Sequence, residues 1–245
     1  MNIPPSSHPR AESLYIRELL VNGFRNGLVA PEGLIAHGRG EAFDYLLGEQ
    51  TTKVARFAIK AACSALLLAK HPIISINGNV AALCAKEIVE LSNVTGAPIE
   101  VNLFYRTAER ERAIQEELRK NGVKTILGIG SRASATIPEL QSDRRRVDPD
   151  GIYKADTLLV PLEDGDRTLA LVNMGKTVIT VDLNPLSRTA KAANITIVDN
   201  IIRAIPEMII TAKHMKGKNE SIRRKIIQEF DNKVNLAESL KIIQR

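Results

Sequence analysis

The 245-residue chain is 44% hydrophobic and 25% charged, an ordinary globular balance that is long enough to bury a substantial core. Its net charge of +6 suggests anionic partners, which could be nucleic acid, a membrane surface or small phosphorylated molecules. Aromatics are only 4% and Trp is absent, so stacking platforms for single strands are thin and small phosphorylated ligands are favoured over nucleic acid.

Pro4, Pro5 and Pro9 keep the first ten residues extended, with no apolar leader core among them. Residues 11–26 place Leu14, Ile16, Leu19, Leu20 and Phe24 at helical spacing, and Gly27 ends the helix. Arg17 sits beside that face, where a snorkelling surface arginine is an equal alternative to a functional one. A loop is expected over residues 29–41, with Gly33, Gly38 and Gly40 around His37 and Arg39; Arg39, flanked by glycines, reads as phosphate-facing. Helices follow at 41–47 and 51–70. The most apolar stretch, residues 61–69, is far short of the roughly 20 residues that span a bilayer. Cys63 and Cys84 lie in Ala/Leu-rich helical patterns without a ligand-spaced partner and read as buried thiols of a reducing compartment.

His71-Pro72 introduces a β-branched strand, residues 73–76, then Asn77-Gly78-Asn79 and a helix over 80–94. A strand, a glycine turn and a helix N-terminus make an anion site from backbone N–H groups, though a plain turn would look the same, and neither GxxxxGK[ST] nor GxGxxG is present. Strands at 99–104 and 124–129 flank a charged surface helix at 107–121, and the second ends at Gly130-Ser131-Arg132. Residues 133–155 form the longest irregular stretch, carrying Arg144, Arg145 and Arg146 as a solvated run or a substrate or subunit contact. A strand at 157–162 and a helix at 167–174 lead to two strands, 178–181 and 195–198, joined by a short helical crossover. Helices at 201–216, 220–230 and 231–244 complete the chain.

The last two strands each end on an acid, Asp182 and Asp199, trailed by Asn184 and Asn200. In open α/β sheets ligands sit beyond the carboxyl ends of the strands, so the two acids would point into one crevice and suit a ribose, an adenine amino group or magnesium. Pro185 is placed to open the intervening helix, with Arg188 and Thr189 meeting phosphate oxygens. Taken singly, each acid is explained equally well as a strand end or helix cap. The whole reads as a single α/β domain over 1–245. A helical region, 1–70, precedes a Rossmann-like, mostly parallel sheet of about six strands flanked by helices, 71–212, and a helical tail, 213–245, follows.

The segments IPPSSHPRAESLYIRELL, GLVAPEGLIAHGRGEAFDYLLGE, SINGNVAAL and VDLNPLSRTAKAANITIVDNIIRAIP together give the chain an end-to-end resemblance. It resembles the archaeal phosphopantothenate synthetases, the 4-phosphopantoate:beta-alanine ligases. The resemblance implies a homodimeric, cytoplasmic enzyme of coenzyme A biosynthesis that joins 4-phosphopantoate to beta-alanine with ATP and Mg2+, releasing AMP and diphosphate through a phosphopantoyl adenylate. Family ATP contacts fall on Arg17, Arg39, Asp182, Leu183, Asn184, Arg188, Thr189, Asp199 and Asn200; no residues are designated for the metal. The 4-phosphate is expected at Gly78-Asn79 with help from Arg132 or Lys213, and His37 and Glu41 are candidate proton acceptors for the amine or merely order their loop. A nucleotide sensor on the same fold and a nucleic-acid binder are the competing readings.

Overall fold

A computed structural model describes Pro5 and residues 7–244; Pro4 of the expected extended segment lies outside them. The strands are, in chain order, β1 (Pro72–Ile76), β2 (Ile99–Val101), β3 (Ala135–Thr136), β4 (Arg146–Val147), β5 (Thr157–Leu159), β6 (Thr177–Val181) and β7 (Ile195–Ile197). The helices are α1 (Ala11–Arg25), α2 (Pro31–Leu47), α3 (Lys53–Leu68), α4 (Gly78–Thr95), α5 (Ala108–Lys120), α6 (Gly165–Asn173), α7 (Arg188–Ala192), α8 (Ile201–Lys216), α9 (Glu220–Glu229) and α10 (Asn232–Ile243). Five strands form one wholly parallel sheet in the order β2-β1-β5-β6-β7, while β3 and β4 pair antiparallel by themselves.

Strand periodicity divides the core in two, because neighbouring residues point to opposite faces. Ile74, Leu159 and Ile179 pack with α1, α3, α4 and α8, whereas Ile73, Leu158 and Val178 pack with α6 and the irregular segment after α5. Helix α3 packs on α8, where the Cys63 thiol donates to the Met208 carbonyl at 3.3 Å, and its Ala58, Ala61, Ala62 and Ala65 are all buried. No helix among the described residues is long and apolar enough to cross a membrane. Both cysteines are buried, and burial raises their thiol pKa values, so neither is reactive at rest.

Three expectations are corrected. The sheet has five strands, not about six: residues 124–129 make a single bridge, Glu100 to Leu127, after which Gly128 (φ 75°) and Gly130 (φ 57°) turn the chain away. The expected loop over 29–41 is the first half of α2, which Pro31 opens after the extended Ala30, and Gly33 is there for a close approach described below. Pro185 does not open the crossover helix; Ser187 caps α7 by accepting from the Ala190 N–H, and the helix begins at Arg188.

Each sheet edge is met by side chains or loop. At β7, Asn232 of α10 accepts from the Thr196 N–H at 2.9 Å, and Asn235 donates to the Thr196 carbonyl at 2.8 Å. Beside β2, Leu127 exchanges backbone hydrogen bonds with Ile99 and Val101. Glu100 of β2 is fully buried beneath Gly128 and Gly151, where any Cβ would lie within 2.6 Å of its side chain. Its carboxylate accepts from the Asp148 and Ile152 N–H groups at 2.9 and 2.6 Å, pinning the loop that follows β4.

Burial lifts the Glu100 carboxyl from its ordinary 4.5 to about 7, against the backbone N–H groups that favour its charge. A carboxyl whose pKa is raised by folding contributes stability below its unfolded pKa and loses it as pH rises through the folded value. The wild type should therefore lose stability relative to Glu100→Gln between pH 4.5 and about 7, by about 3 kcal/mol at most. Urea midpoints of both proteins across that range check this; parallel curves would refute it.

Candidate functional site

A cleft of about 520 Å³ opens at the carboxyl ends of β1, β5, β6 and β7. It sits where the strand order reverses, since β1 sends its chain to β2 on one side and the later strands run off on the other. The reversal is stapled by Asn77, whose Nδ2 donates to the Pro161 and Leu162 carbonyls at 3.3 and 2.9 Å while its Oδ1 caps α4. Leu162 is held at φ 53°, a left-handed conformation unusual for a side chain of this kind and located on the cleft wall. The parallel topology turns the N-termini of α4, α6 and α8 toward the cleft, and α2 and the first turn of α7 join them. First-turn N–H groups lack intrahelical partners, so this wall is electropositive before any side chain is counted.

One end of the cleft lies between α2, α4 and α5. Asn79 Nδ2 donates to the Gly33 carbonyl at 2.9 Å, and a Cβ on Gly33 would lie 2.3 Å from Asn79 Oδ1, so the contact requires glycine. Gly78 is equally constrained, because a Cβ there would be 2.0 Å from the Leu28 carbonyl and 2.7 Å from Arg110 Nη2. Arg110 and Arg144 both line this end with Phe104 and Tyr105. Arg144 is ion-paired with Glu163 and lies 3.1 Å from Asp164, and its backbone is fixed by Asn102, which donates to the Arg144 and Arg146 carbonyls at 3.2 and 3.1 Å. Glu163 is gripped from behind by the buried Arg167, which also donates to Ser75 of β1 at 3.1 Å.

The other end is built on β6 and β7. Asp182 lines the cleft and accepts from the Asn184 N–H at 2.9 Å and from the Ser187 hydroxyl, and its burial raises its carboxyl pKa. Leu183, Asn184, Arg188 and Thr189 line the same wall; Thr189 donates to the Glu163 carbonyl at 2.7 Å, and Arg188 pairs with Asp166 at 3.0 Å. Gly165 permits this, since a Cβ there would lie 2.5 Å from Arg188 Cβ. Asn200 also faces the cleft, but Asp199 sits behind it, 1% exposed, accepting from Thr51 at 2.6 Å and from Arg203 at 2.9 Å. Asp44 of α2 closes this cluster, pairing with Arg203 and accepting from Asn200 Nδ2 at 2.7 Å. Burial pushes the Asp199 carboxyl up despite those partners, while Asp44 and Asp199 hold the Arg203 guanidinium above its ordinary pKa against its own desolvation.

Helix α2 bridges the two ends, touching Asn79 through Gly33 and Leu183 through Gly40, with His37 and Arg39 between them on the cleft wall. His37 Nε2 is buried without a hydrogen-bond partner, and desolvation lowers the imidazole pKa, leaving it neutral. Glu41 one turn on is engaged: Arg17 donates to both its oxygens and Tyr45 to one, which keeps its carboxyl below the ordinary range despite burial. Arg17 thus stands off the cleft wall, tied to Glu41.

The sequence-derived set therefore divides. His37, Arg39, Gly78, Asn79, Asp182, Leu183, Asn184, Arg188, Thr189 and Asn200 meet in one cleft. Arg17, Glu41 and Asp199 stand behind it; Arg132 is tied to Asp148 at 2.7 Å and Lys213 to Glu90 at 2.6 Å, and neither reaches it. Arg110 and Arg144 were hidden inside charged runs that look like solvated faces, and only the Arg triplet in an irregular stretch hinted at the second. Among the described residues no group of three or more His, Cys, Asp or Glu forms a metal cage. Asp164, half-exposed on the wall, fits the other way of holding Mg2+, in which one or two carboxylates complete the shell of an ion carried on phosphate.

Residues 54–245 match the family model described as phosphopantothenate/pantothenate synthetase. The chain is 56% identical over 237 residues to a protein of Thermococcus kodakarensis named 4-phosphopantoate--beta-alanine ligase, covering 96% of this chain and 90% of that one. A protein of the same name from Methanosarcina mazei is 52% identical over 240 residues, covering 98% and 94%, and one from Thermococcus onnurineus is 55% identical over 228 residues, covering 93% and 87%.

The two strand-end acids should respond differently to loss of charge. Asp199→Asn removes a buried partner of Arg203 and should lower unfolding stability by about 3 kcal/mol. Asp182→Asn, facing the cleft, should cost under about 1 kcal/mol. Urea denaturation of the two variants checks the order; equal losses would contradict it.

Proposed function

The chain belongs to the phosphopantothenate/pantothenate synthetase family, and from that membership and the cleft we propose that it joins 4-phosphopantoate to beta-alanine at the expense of ATP, giving 4'-phosphopantothenate, AMP and diphosphate for coenzyme A synthesis. The observation that carries this reading is the convergence of helix N-termini and Arg39, Arg110, Arg144 and Arg188 on one cleft at the strand reversal, a wall suited to two phosphorylated substrates at once.

ATP occupies the β6–β7 end. Asp182 and Asn200 are positioned for nucleoside hydroxyl and amino groups, and Leu183 gives apolar contact. Arg39 and Arg188, with the N–H groups that open α6 and α7, take the triphosphate. Mg2+, reached by Asp164, would neutralise phosphate charge. Arg17 and Asp199 act at one remove: Arg17 orients Glu41 on α2, and Asp199 holds the segment that presents Asn200. The 4-phosphate end of the second substrate lies at Gly78-Asn79, so its carboxylate extends toward the α-phosphorus near the middle of α2.

A carboxylate does not condense with an amine in water until it carries a leaving group. The carboxylate oxygen attacks the α-phosphorus, diphosphate leaves, and a phosphopantoyl adenylate forms. The beta-alanine amine then attacks the acyl carbon, AMP leaves, and the amine's proton goes to His37 Nε2, neutral and unpartnered. Glu41, already bound by Arg17 and Tyr45, is a poorer acceptor and orders the helix that carries His37. In this reading the protein works as a homodimer in the cytoplasm, and the exposed Tyr15, Ile35 and Leu46 on α1 and α2 offer apolar surface for such an interface.

Incubation with ATP, Mg2+, 4-phosphopantoate and beta-alanine should accumulate AMP only when 4-phosphopantoate is present. ADP and free phosphate would replace the adenylate with an acyl phosphate, and no amide at all would end the ligase reading. His37→Gln should lower kcat about 100-fold with little change in the KM for ATP. Because burial lowers its pKa, the acid limb of the wild-type kcat profile should lie below pH 6.5 and be absent from the variant.

A further inference from the structure

Arg110 is a half-buried cation on the cleft wall that makes no direct ion pair among the described residues. No carboxylate oxygen among them lies within ion-pairing distance of it, and Glu32 acts on it only at longer range. Its guanidinium is instead aimed by two carbonyls, donating through Nη2 to Leu28 at 3.0 Å and through Nη1 to Tyr105, while Nε is buried without a partner. Desolvation and the nearby Arg144 disfavour its charge, and Glu32 across the wall, too far for an ion pair, offsets this only in part. Arg144 is 7% exposed, so a second guanidinium stands close by in a low-dielectric wall. Two cations held together, one without a direct ion pair, are costly unless an anion completes the arrangement.

The surrounding construction keeps the pair in place. Arg144 is fixed at the side chain by Glu163 and at the backbone by Asn102, and Arg167 holds Glu163 from the core. Gly78 leaves room for Arg110 Nη2 beside the first N–H groups of α4, where a Cβ would lie 2.7 Å from that nitrogen. A guanidinium fork, a second arginine and free N–H groups around one point match the three oxygens of a phosphate monoester dianion better than a single carboxylate.

We propose that Arg110, with Arg144 beside it, is the specificity determinant that makes the enzyme require the 4-phosphate of its acid substrate and reject the unphosphorylated acid. This rests on the ligase reading for the identity of the acid, but the subsite itself rests on Arg110, held without an ion pair beside Arg144. It also distinguishes the two ends of the cleft: the nucleotide end does not depend on Arg110.

Calorimetric titration of 4-phosphopantoate and of pantoate, each with and without a non-hydrolysable ATP analogue, tests it on the wild type, Arg110→Gln and Arg110→Lys. Gln keeps a donor for the two carbonyls, and Lys keeps the charge without the fork; thermal midpoints report whether either variant is unfolded. The wild type should bind 4-phosphopantoate at least about 100-fold more tightly than pantoate, and Arg110→Gln should erase about 10- to 100-fold of that preference. Arg110→Lys should retain part of it, and binding of the ATP analogue should change less than about twofold. Preference for the phosphorylated acid that is absent in the wild type under both conditions, or unchanged in both variants, would overturn the proposal. Loss of ATP-analogue binding in Arg110→Gln would overturn it too, placing Arg110 at the nucleotide end. Phosphate-dependent binding without amide formation would leave the subsite standing and remove the ligase reading instead.

Discussion

Everything in this protein follows from the parallel sheet. When all strands run one way, every carboxyl end, and every helix N-terminus that follows it, falls on the same edge. That edge accumulates unpaired N–H groups and partial positive charge without any basic side chain being spent. The reversal of strand order between β1 and β5 then opens a gap in the edge, and Asn77 holds the gap to a fixed width by binding both the end of β5 and the start of α4. Arginines lining such a gap repel one another, and the fold offsets them unequally: the buried Glu163 stands behind Arg144 and the exposed Asp166 beside Arg188, while Arg39 and Arg110 make no direct ion pair among the described residues. The distribution of carboxylates therefore shows which cations the fold needs and which it leaves for a ligand.

Much of this was legible in the sequence because it is periodic or local. The β-branched runs ending in Asp182 and Asp199, the Asn77-Gly78-Asn79 turn and the helical patterns of α3, α4 and α8 all announce themselves within a dozen residues. The glycines of α2 misled, since Gly33, Gly38 and Gly40 normally lower helix stability, and the need for Gly33 lies in Asn79, 46 residues away. The missing strand at 124–129 has the right composition but is turned aside by the left-handed Gly128 and Gly130, the first of which closes over Glu100. Arg110 and Arg144 could not be separated from the solvated arginines around them, because burial is decided by what packs on top, which no local pattern records.

Asp182 and Asp199 show how equal sequence signals take different physical roles. Both follow a buried strand and both are followed by a helix start. Asp182 turns its carboxylate onto its own loop and remains on the cleft wall, whereas Asp199 is captured by Arg203 one helical turn further on and by Thr51. The difference is one basic residue at the right helical spacing, and it converts a ligand-facing acid into a support for its neighbour Asn200.

The helix α10 does something else that bears on the life of the whole chain. The outer side of β7 would otherwise present a row of free backbone groups, the kind of template on which a strand from another molecule can grow. By offering Asn232 and Asn235 to the two polar groups of Thr196, α10 occupies the template with side chains that cannot propagate a ladder. On the opposite side, Leu127 does the same with one residue of backbone before its neighbouring glycine veers off. A sheet this apolar is thereby protected against polymerising edge to edge, and the C-terminal helix serves as the chain's own safeguard against aggregation.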